Sequence, residues 1–291
     1  MNDDLAQWLT LRESTDASSR STDLPRVIAD TVAAHDPVHV LDLATGTGSN
    51  IRYLMERLSS RQSWLAVDRS STLLAQLPSQ MSQWGAARGC EVASEEGGCV
   101  IRGSQLECHV ETLRLDLGTL DAVDLFAHRH LVTASALLDL VSEQWLCSLA
   151  ARCRTAGAAA LFAITYNGRS VCSPKEREDD LVLDLFNRHQ RTDKGLGGPA
   201  AGPDAAACAA RCFTEAGYCV QMIPADWKLG PAEASLQRLL IDGWAEAAAE
   251  IEPDAASMIA EWRIRRLRHV DAARSRLIVG HDDVAAWRPV R

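Results

Sequence analysis

The chain has 291 residues, 47% hydrophobic and 24% charged, which is enough apolar material for one large core. Its net charge of -9 argues against a broad nucleic-acid surface, which needs a basic face to neutralise phosphates. No run approaches the roughly 18 consecutive apolar residues of a membrane span, and the start M-N-D-D-L-A-Q-W carries acids in place of an apolar signal core, so a cytoplasmic protein without membrane contact is expected.

Leu5, Trp8, Leu9 and Leu11 predict a short amphipathic helix. The polar segment after it, L-R-E-S-T-D-A-S-S-R-S-T-D, reads as non-core, and a second helix is predicted from about Leu24 to Ala34. His39 to Leu43 is a short run rich in β-formers. Gly46 and Gly48 follow it, and then the helical spacing Ile51, Leu54, Met55, Leu58. Strand, glycine turn and helix together bring backbone N–H groups to a ligand. A dinucleotide fingerprint wants a third glycine where Ile51 stands, and a phosphate loop wants a lysine after Gly48. What remains is an acid at a strand end, Asp42, followed by T-G-T-G.

That pattern resembles motif I of the class I S-adenosylmethionine-dependent methyltransferases. The resemblance implies a Rossmann-like α/β fold: a seven-stranded, mainly parallel sheet with helices on both faces. It also implies S-adenosylmethionine as cofactor, with contacts along the loop at Asp42, Ala44, Gly46, Gly48 and Asn50. N-terminal helices often cap the cleft in this family, so residues 1–34 are expected to form a cap, and Arg12, Asp16 and Arg20 become substrate candidates.

Ser63 to Val67 reads as a second strand closed by Asp68. An acid at that strand tip can accept from both ribose hydroxyls, in an NAD enzyme as in a methyltransferase. Arg69 stands where the family often has an apolar residue over the adenine; a guanidinium plane can also stack there. A helical pattern runs from Thr72 to Trp84. The glycine-rich stretch after it, with Cys99-Val100-Ile101 and His109-Val110 around a turn, predicts a hairpin leading into a third strand that ends L-R-L-D-L. In the resembled family, the acid and backbone N–H just past this strand receive the adenine, and Asp116 and Leu117 match them.

A short helix is predicted over residues 118–127 and a fourth strand from His130 to Ser135. The line L-V-T-A-S-A-L-L-D-L-V resembles the family motif that passes under the methyl donor, which places Thr133 at the cofactor. Asp139 either caps the next helix or points into the cleft. Ala158 to Thr165 reads as a buried central strand. It ends at Tyr166, a catalytic candidate, and Asn167, a substrate candidate, at the edge where such sheets bind ligands. An N-P-P-Y motif is absent, which argues against DNA bases and peptide glutamine as acceptors.

Residues 170–203 form a predicted insertion. Leu181, Val182, Leu185 and Phe186 share a helical face, and a Gly/Pro-rich segment follows. This reads as a lid, with Asn187 toward substrate and His189 as a base whose ordinary pKa lies near working pH. A histidine at a helix end also simply complements the dipole. Strands are predicted at Tyr218–Ile223 and Ser275–Gly280, separated by a helical insertion over 230–272. Trp227, Trp244 and Trp262 are expected in packing, and Arg263, Arg265, Arg266 and Arg268 on a solvated helix face. Nine cysteines without C-x-x-C spacing are expected as reduced thiols, and no zinc-like ligand set gathers.

The reading is one domain over 1–291 that transfers the methyl of S-adenosylmethionine to a small soluble acceptor at oxygen or nitrogen. The alternatives are an NAD(P)-dependent oxidoreductase, which shares the topology, and a catalytically silent partner subunit of the same fold.

Overall fold

The computed structural model describes residues 2–118, 120 and 125–289. Its elements in chain order begin with α1 (Asn2–Ser19), α2 (Asp23–Val32), β1 (Val38–Leu43), α3 (Ser49–Met55), β2 (Arg61–Asp68) and α4 (Ser71–Ala86). Next come β3 (Glu91–Glu95), β4 (Gly98–Gly103), β5 (Leu106–Arg114), β6 (Leu131–Ser135), α5 (Glu143–Ala156), β7 (Ala159–Ser173) and α6 (Asp179–Gln190). The chain then forms α7 (Ala205–Glu215), β8 (Cys219–Pro224), β9 (Trp227–Leu229), α8 (Ala234–Ile251), α9 (Ala256–Asp271) and β10 (Arg276–Trp287). Half of the helix expected over 118–127, residues 119 and 121–124, lies outside the described residues.

The ten strands form one sheet in the order β3-β4-β5-β2-β1-β6-β7-β10-β8, with β9 paired to β10. The five strands from β5 to β7 are mutually parallel. β10 runs antiparallel between β7 and β8. All seven expected strands are therefore present; the hairpin strands β3 and β4 and the short β9 are additional. The strand order reverses between β2–β1 and β1–β6, and this switch point is where an open α/β sheet binds ligands.

The alternation of β1 explains how it sits. Val38 and Val40 join a core with Ile51 and Leu54 of α3 and Leu77 of α4, whereas Leu41 and Leu43 join the opposite core with Trp145 and Leu149 of α5. A third core lies beyond the sheet edge, where Trp227, Trp244 and Trp262 pack with Val182 and Leu185 of α6. The tryptophans thus pack, as expected. The basic run of α9 departs from expectation. Arg266 is fully buried, 3.7 Å from Asp179 with its guanidinium on the Pro174 carbonyl, and Arg265 bridges to Glu176. Arg265 and Arg266 thus hold α6 and its approach to α9, whereas Arg268 is exposed as expected. The cysteine reading is also corrected. Cys147 of α5 and Cys212 of α7 form a disulfide, while the other seven are free. No helix among the described residues is long and apolar enough to cross a membrane.

Candidate functional site

Asp42 closes β1 and is completely buried beneath the glycine loop. Thr45 Oγ1 donates to it at 2.5 Å and Asn50 Nδ2 at 2.6 Å. Burial pushes its carboxyl up to about 6, against the two hydrogen bonds. Asn50 also donates to Thr133 Oγ1 at 3.1 Å, and Thr133 donates to the Leu161 carbonyl at 2.7 Å. Asp42, Asn50 and Thr133 therefore brace the loop from below. Asp42 and Thr133 lie under the loop, whereas Asn50 also lines a small recess beside Gly46.

The open side belongs to Asp68, which closes β2. Its Oδ2 accepts from the Gly46 N–H at 2.9 Å and its Oδ1 from the Ser70 N–H at 2.8 Å. It lines a cavity of about 290 Å³ at the switch point, together with Ala44, Gly46, Arg69 and Leu117. Trp145 holds Leu117 in place by donating its indole N–H to the Leu117 carbonyl at 2.7 Å. Asp116 lies next to it, exposed, and its Oδ1 accepts from the Gly118 N–H at 2.8 Å. The five predicted residues Ala44, Gly46, Asp68, Arg69 and Leu117 thus share one cavity.

The two loop glycines do different work. At Gly48, where φ is +84°, a Cβ would stand 2.8 Å from Met81 Cε, so its space is taken by α4. At Gly46, where φ is +57°, a Cβ would face the cavity side, 3.1 Å from Leu9 Cδ1 of α1. Gly46→Val is expected to abolish measurable binding of S-adenosylhomocysteine, because a β-branched residue is disfavoured at positive φ and would displace the α1 wall. Calorimetric titration checks this; normal affinity in the folded variant would place the ligand elsewhere.

The fourth wall is α1, through Leu5, Trp8, Leu9 and Arg12. The polar stretch expected outside the core is buried in part, with Thr15, Asp16, Arg20 and Ser21 each at most 9% exposed. Each charge has a distant partner. Arg12 pairs with Asp16 at 2.9 Å and lies over the Trp227 ring at 4.9 Å, and Trp227 donates to Asp16 at 3.0 Å. Glu13 grips Arg52 at 2.6 Å, and Arg52 donates to the Thr47 carbonyl at 2.7 Å. The Arg20 guanidinium donates to Asn50 Oδ1. α1 is thereby fastened to the glycine loop itself. A recess beneath it, about 40 Å³ in volume, is lined by Arg12, Asp16, Gly46, Thr47 and Ser135.

On the far side of the cavity Leu137 and Leu140 are wall residues, and Asp139, between them in sequence, is not itself among the lining residues. Ser142, not Asp139, caps α5, accepting from the Trp145 N–H at 3.2 Å. Asp139 is buried, and that burial raises its carboxyl to about 6, offset by backbone N–H groups and the charges of Arg12 and Lys194. Tyr166 donates to Asn187 Oδ1 at 2.8 Å, and burial holds its hydroxyl up at about 12. Asn187 in turn donates to the Gly168 carbonyl at 2.9 Å, and Asn167 donates to Asp282 at 3.1 Å. Tyr166 and Asn187 are thus tied to each other.

His189 is not among the cavity-lining residues. Its Nε2 lies 3.1 Å from Glu250 of α8, and Lys194 Nζ lies 3.3 Å from its Nδ1. The segment 170–203 reaches the cavity through Leu196, whose carbonyl accepts from the Ser142 N–H at 3.2 Å.

No family model and no curated protein matches the chain. Several solved structures resemble it in fold. The YcgJ protein of Bacillus subtilis is 14% identical with a TM-score of 0.48, covering 93% of this chain and 100% of its own. An S-adenosylmethionine-dependent methyltransferase of Geobacter sulfurreducens, in complex with S-adenosylhomocysteine, is 14% identical with a TM-score of 0.43, covering 96% of this chain and 98% of its own. The cyclopropane synthase MmaA2 of Mycobacterium tuberculosis is 9% identical with a TM-score of 0.44, covering 90% and 82% respectively.

Proposed function

We propose that this chain is an S-adenosylmethionine-dependent methyltransferase acting on a small soluble acceptor through an oxygen or nitrogen atom. One observation carries the reading: a buried carboxylate at the tip of β2, Asp68, lines the same cavity as the Gly46 backbone and Leu117. Each Asp68 oxygen spends one lone pair on a backbone N–H, which leaves one on each for a pair of ribose hydroxyls. Leu115, Leu117 and Leu137 offer apolar walls for an adenine, with Asp116 beside them for its amino group. The recess under α1 suits the amino-acid end of the donor.

When bound there, S-adenosylmethionine supplies a methyl already activated by its sulfonium. The chain's own work is to align and to exclude water. α1 covers the loop, and its Trp8 and Leu9 keep solvent from the cavity. Asp139 adjoins the wall residue Leu140 in sequence, and we assign it the proton of an acceptor, a task its carboxyl near 6 suits at neutral pH. An oxidoreductase reading has less support, because Ile51 fills the third-glycine position and is fully buried, and Gly48 packs on α4 instead of facing a pyrophosphate.

Calorimetric titration of the full chain with S-adenosylhomocysteine and with NAD tests the reading. Micromolar binding of the first and no heat from the second is expected. Binding of NAD alone would replace the reading with an oxidoreductase, and binding of neither would point to a silent partner subunit.

A further inference from the structure

A second depression, about 180 Å³ in volume, runs along α3 between α1 and α4. Four guanidinium groups line it, on a chain whose net charge is -9. Two are neutralised locally: Arg52 by Glu13 and Arg88 by Glu56, each at 2.6 Å. The other two, Arg20 and Arg57, both stack on Tyr53, with their Cζ atoms 4.1 and 3.8 Å from the ring centroid. Neither has a carboxylate within ion-pair distance among the described residues. Arg20 is 7% exposed, donates to Asn50 Oδ1 and otherwise sits in the longer-range field of Asp283, Asp16 and Asp42, and Arg57 donates one N–H to the Tyr53 carbonyl. The Tyr53 hydroxyl, on a residue 8% exposed, is buried without a hydrogen-bond partner.

A buried guanidinium without a carboxylate and a buried phenol without a partner, as at Arg20 and Tyr53, are costly until further acceptors meet them, and the exposed Arg57 adds a second charge above them. Two guanidinium groups and a phenol are all donors, and the group that satisfies them together is an oxyanion. Ser135, at the end of β6, lines this groove, the donor cavity and the recess between them. Resting on the donor reading above, we propose that the groove recognises an anionic oxygen group, carboxylate or phosphate, on the methyl acceptor. Arg57 and Arg20 bind that group at the groove while the rest of the acceptor extends toward Ser135.

The test titrates the protein, saturated with S-adenosylhomocysteine, with inorganic phosphate and separately with benzoate, in wild type and Arg57→Gln. Arg57 is exposed, so the variant is expected to fold, and circular dichroism verifies this. One of the two anions should bind and lose roughly tenfold affinity in the variant, as expected for a charge-assisted contact, while S-adenosylhomocysteine affinity stays unchanged. The anion that binds distinguishes phosphate from carboxylate, and chemical shifts of the Trp84 indole should move with it. The proposal is overturned if neither anion binds or if Arg57→Gln leaves anion affinity unchanged. It is equally overturned if the variant weakens S-adenosylhomocysteine instead, since the groove would then hold the donor's own carboxylate. Anion binding in a protein that does not bind S-adenosylhomocysteine at all would leave the groove and remove the donor reading.

Discussion

Asp68→Ala is expected to weaken S-adenosylhomocysteine binding by about 10–150-fold, the loss of roughly 1.5–3 kcal/mol that attends a charge-assisted hydrogen bond. The carboxylate has two tasks, and the substitution removes both. It fixes the loop through the Gly46 N–H at 2.9 Å, and its free lone pairs face the cavity. The loop itself should survive, because Asp42, Thr45, Asn50 and Thr133 brace it independently from beneath. Folding is therefore expected to persist, with thermal unfolding as the check. An unchanged dissociation constant in the folded variant would mean the ribose lies elsewhere.

Asp139→Asn is expected to lower turnover by about 10²–10⁴-fold, the usual contribution of a positioned general base, with donor affinity unchanged. The sign of the pH dependence follows from burial. Desolvation raises this carboxyl to about 6, so the basic form is lost as pH falls below that value. Wild-type turnover should climb through pH 6 and level off above it, and the Asn variant should show no such rise. The substitution preserves shape while removing a buried charge, so a fold collapse is not expected. A carbonyl NMR titration of Asp139 reads the same group without an acceptor. Wild-type turnover in the variant, or a carboxyl titrating near 4, would exclude Asp139 as the base.

The elements that were legible in the sequence are those whose signal is local. Asp42, T-G-T-G and Asp68 lie at the ends of short apolar strands, and strand, turn and helix follow from spacing alone. The turn chemistry around the glycines after α4 likewise announced the hairpin of β4 and β5. What was not legible is how the polar end of α1 and the turn after it are held. Asp16, Arg20 and Ser21 are the kind of residue that solvated segments carry, and they are buried because partners far along the chain meet them. Arg20 reaches Asn50, Asp16 meets Trp227, and the Ser21 N–H donates to Asp283 at 2.9 Å. Local pattern cannot see such pairs. The same blindness affects Arg266, hidden between the Pro174 carbonyl and Asp179, and the Cys147–Cys212 pair. Histidine as a residue type suits proton removal, but the position of His189 is set by Glu250 on α8. Gly48 shows a subtler limit. Its place in the motif was legible, but whether the missing side chain makes room for a ligand or for Met81 is decided by α4.

A crystal structure of the chain grown with S-adenosylhomocysteine tests the central claim most directly. The account predicts ribose hydroxyls on both Asp68 oxygens, the adenine beside Leu117, and the amino-acid end in the recess between the Gly46 loop and Arg12. Density for the ligand at any other place, or a filled cavity in which Asp68 touches no part of it, would contradict that claim.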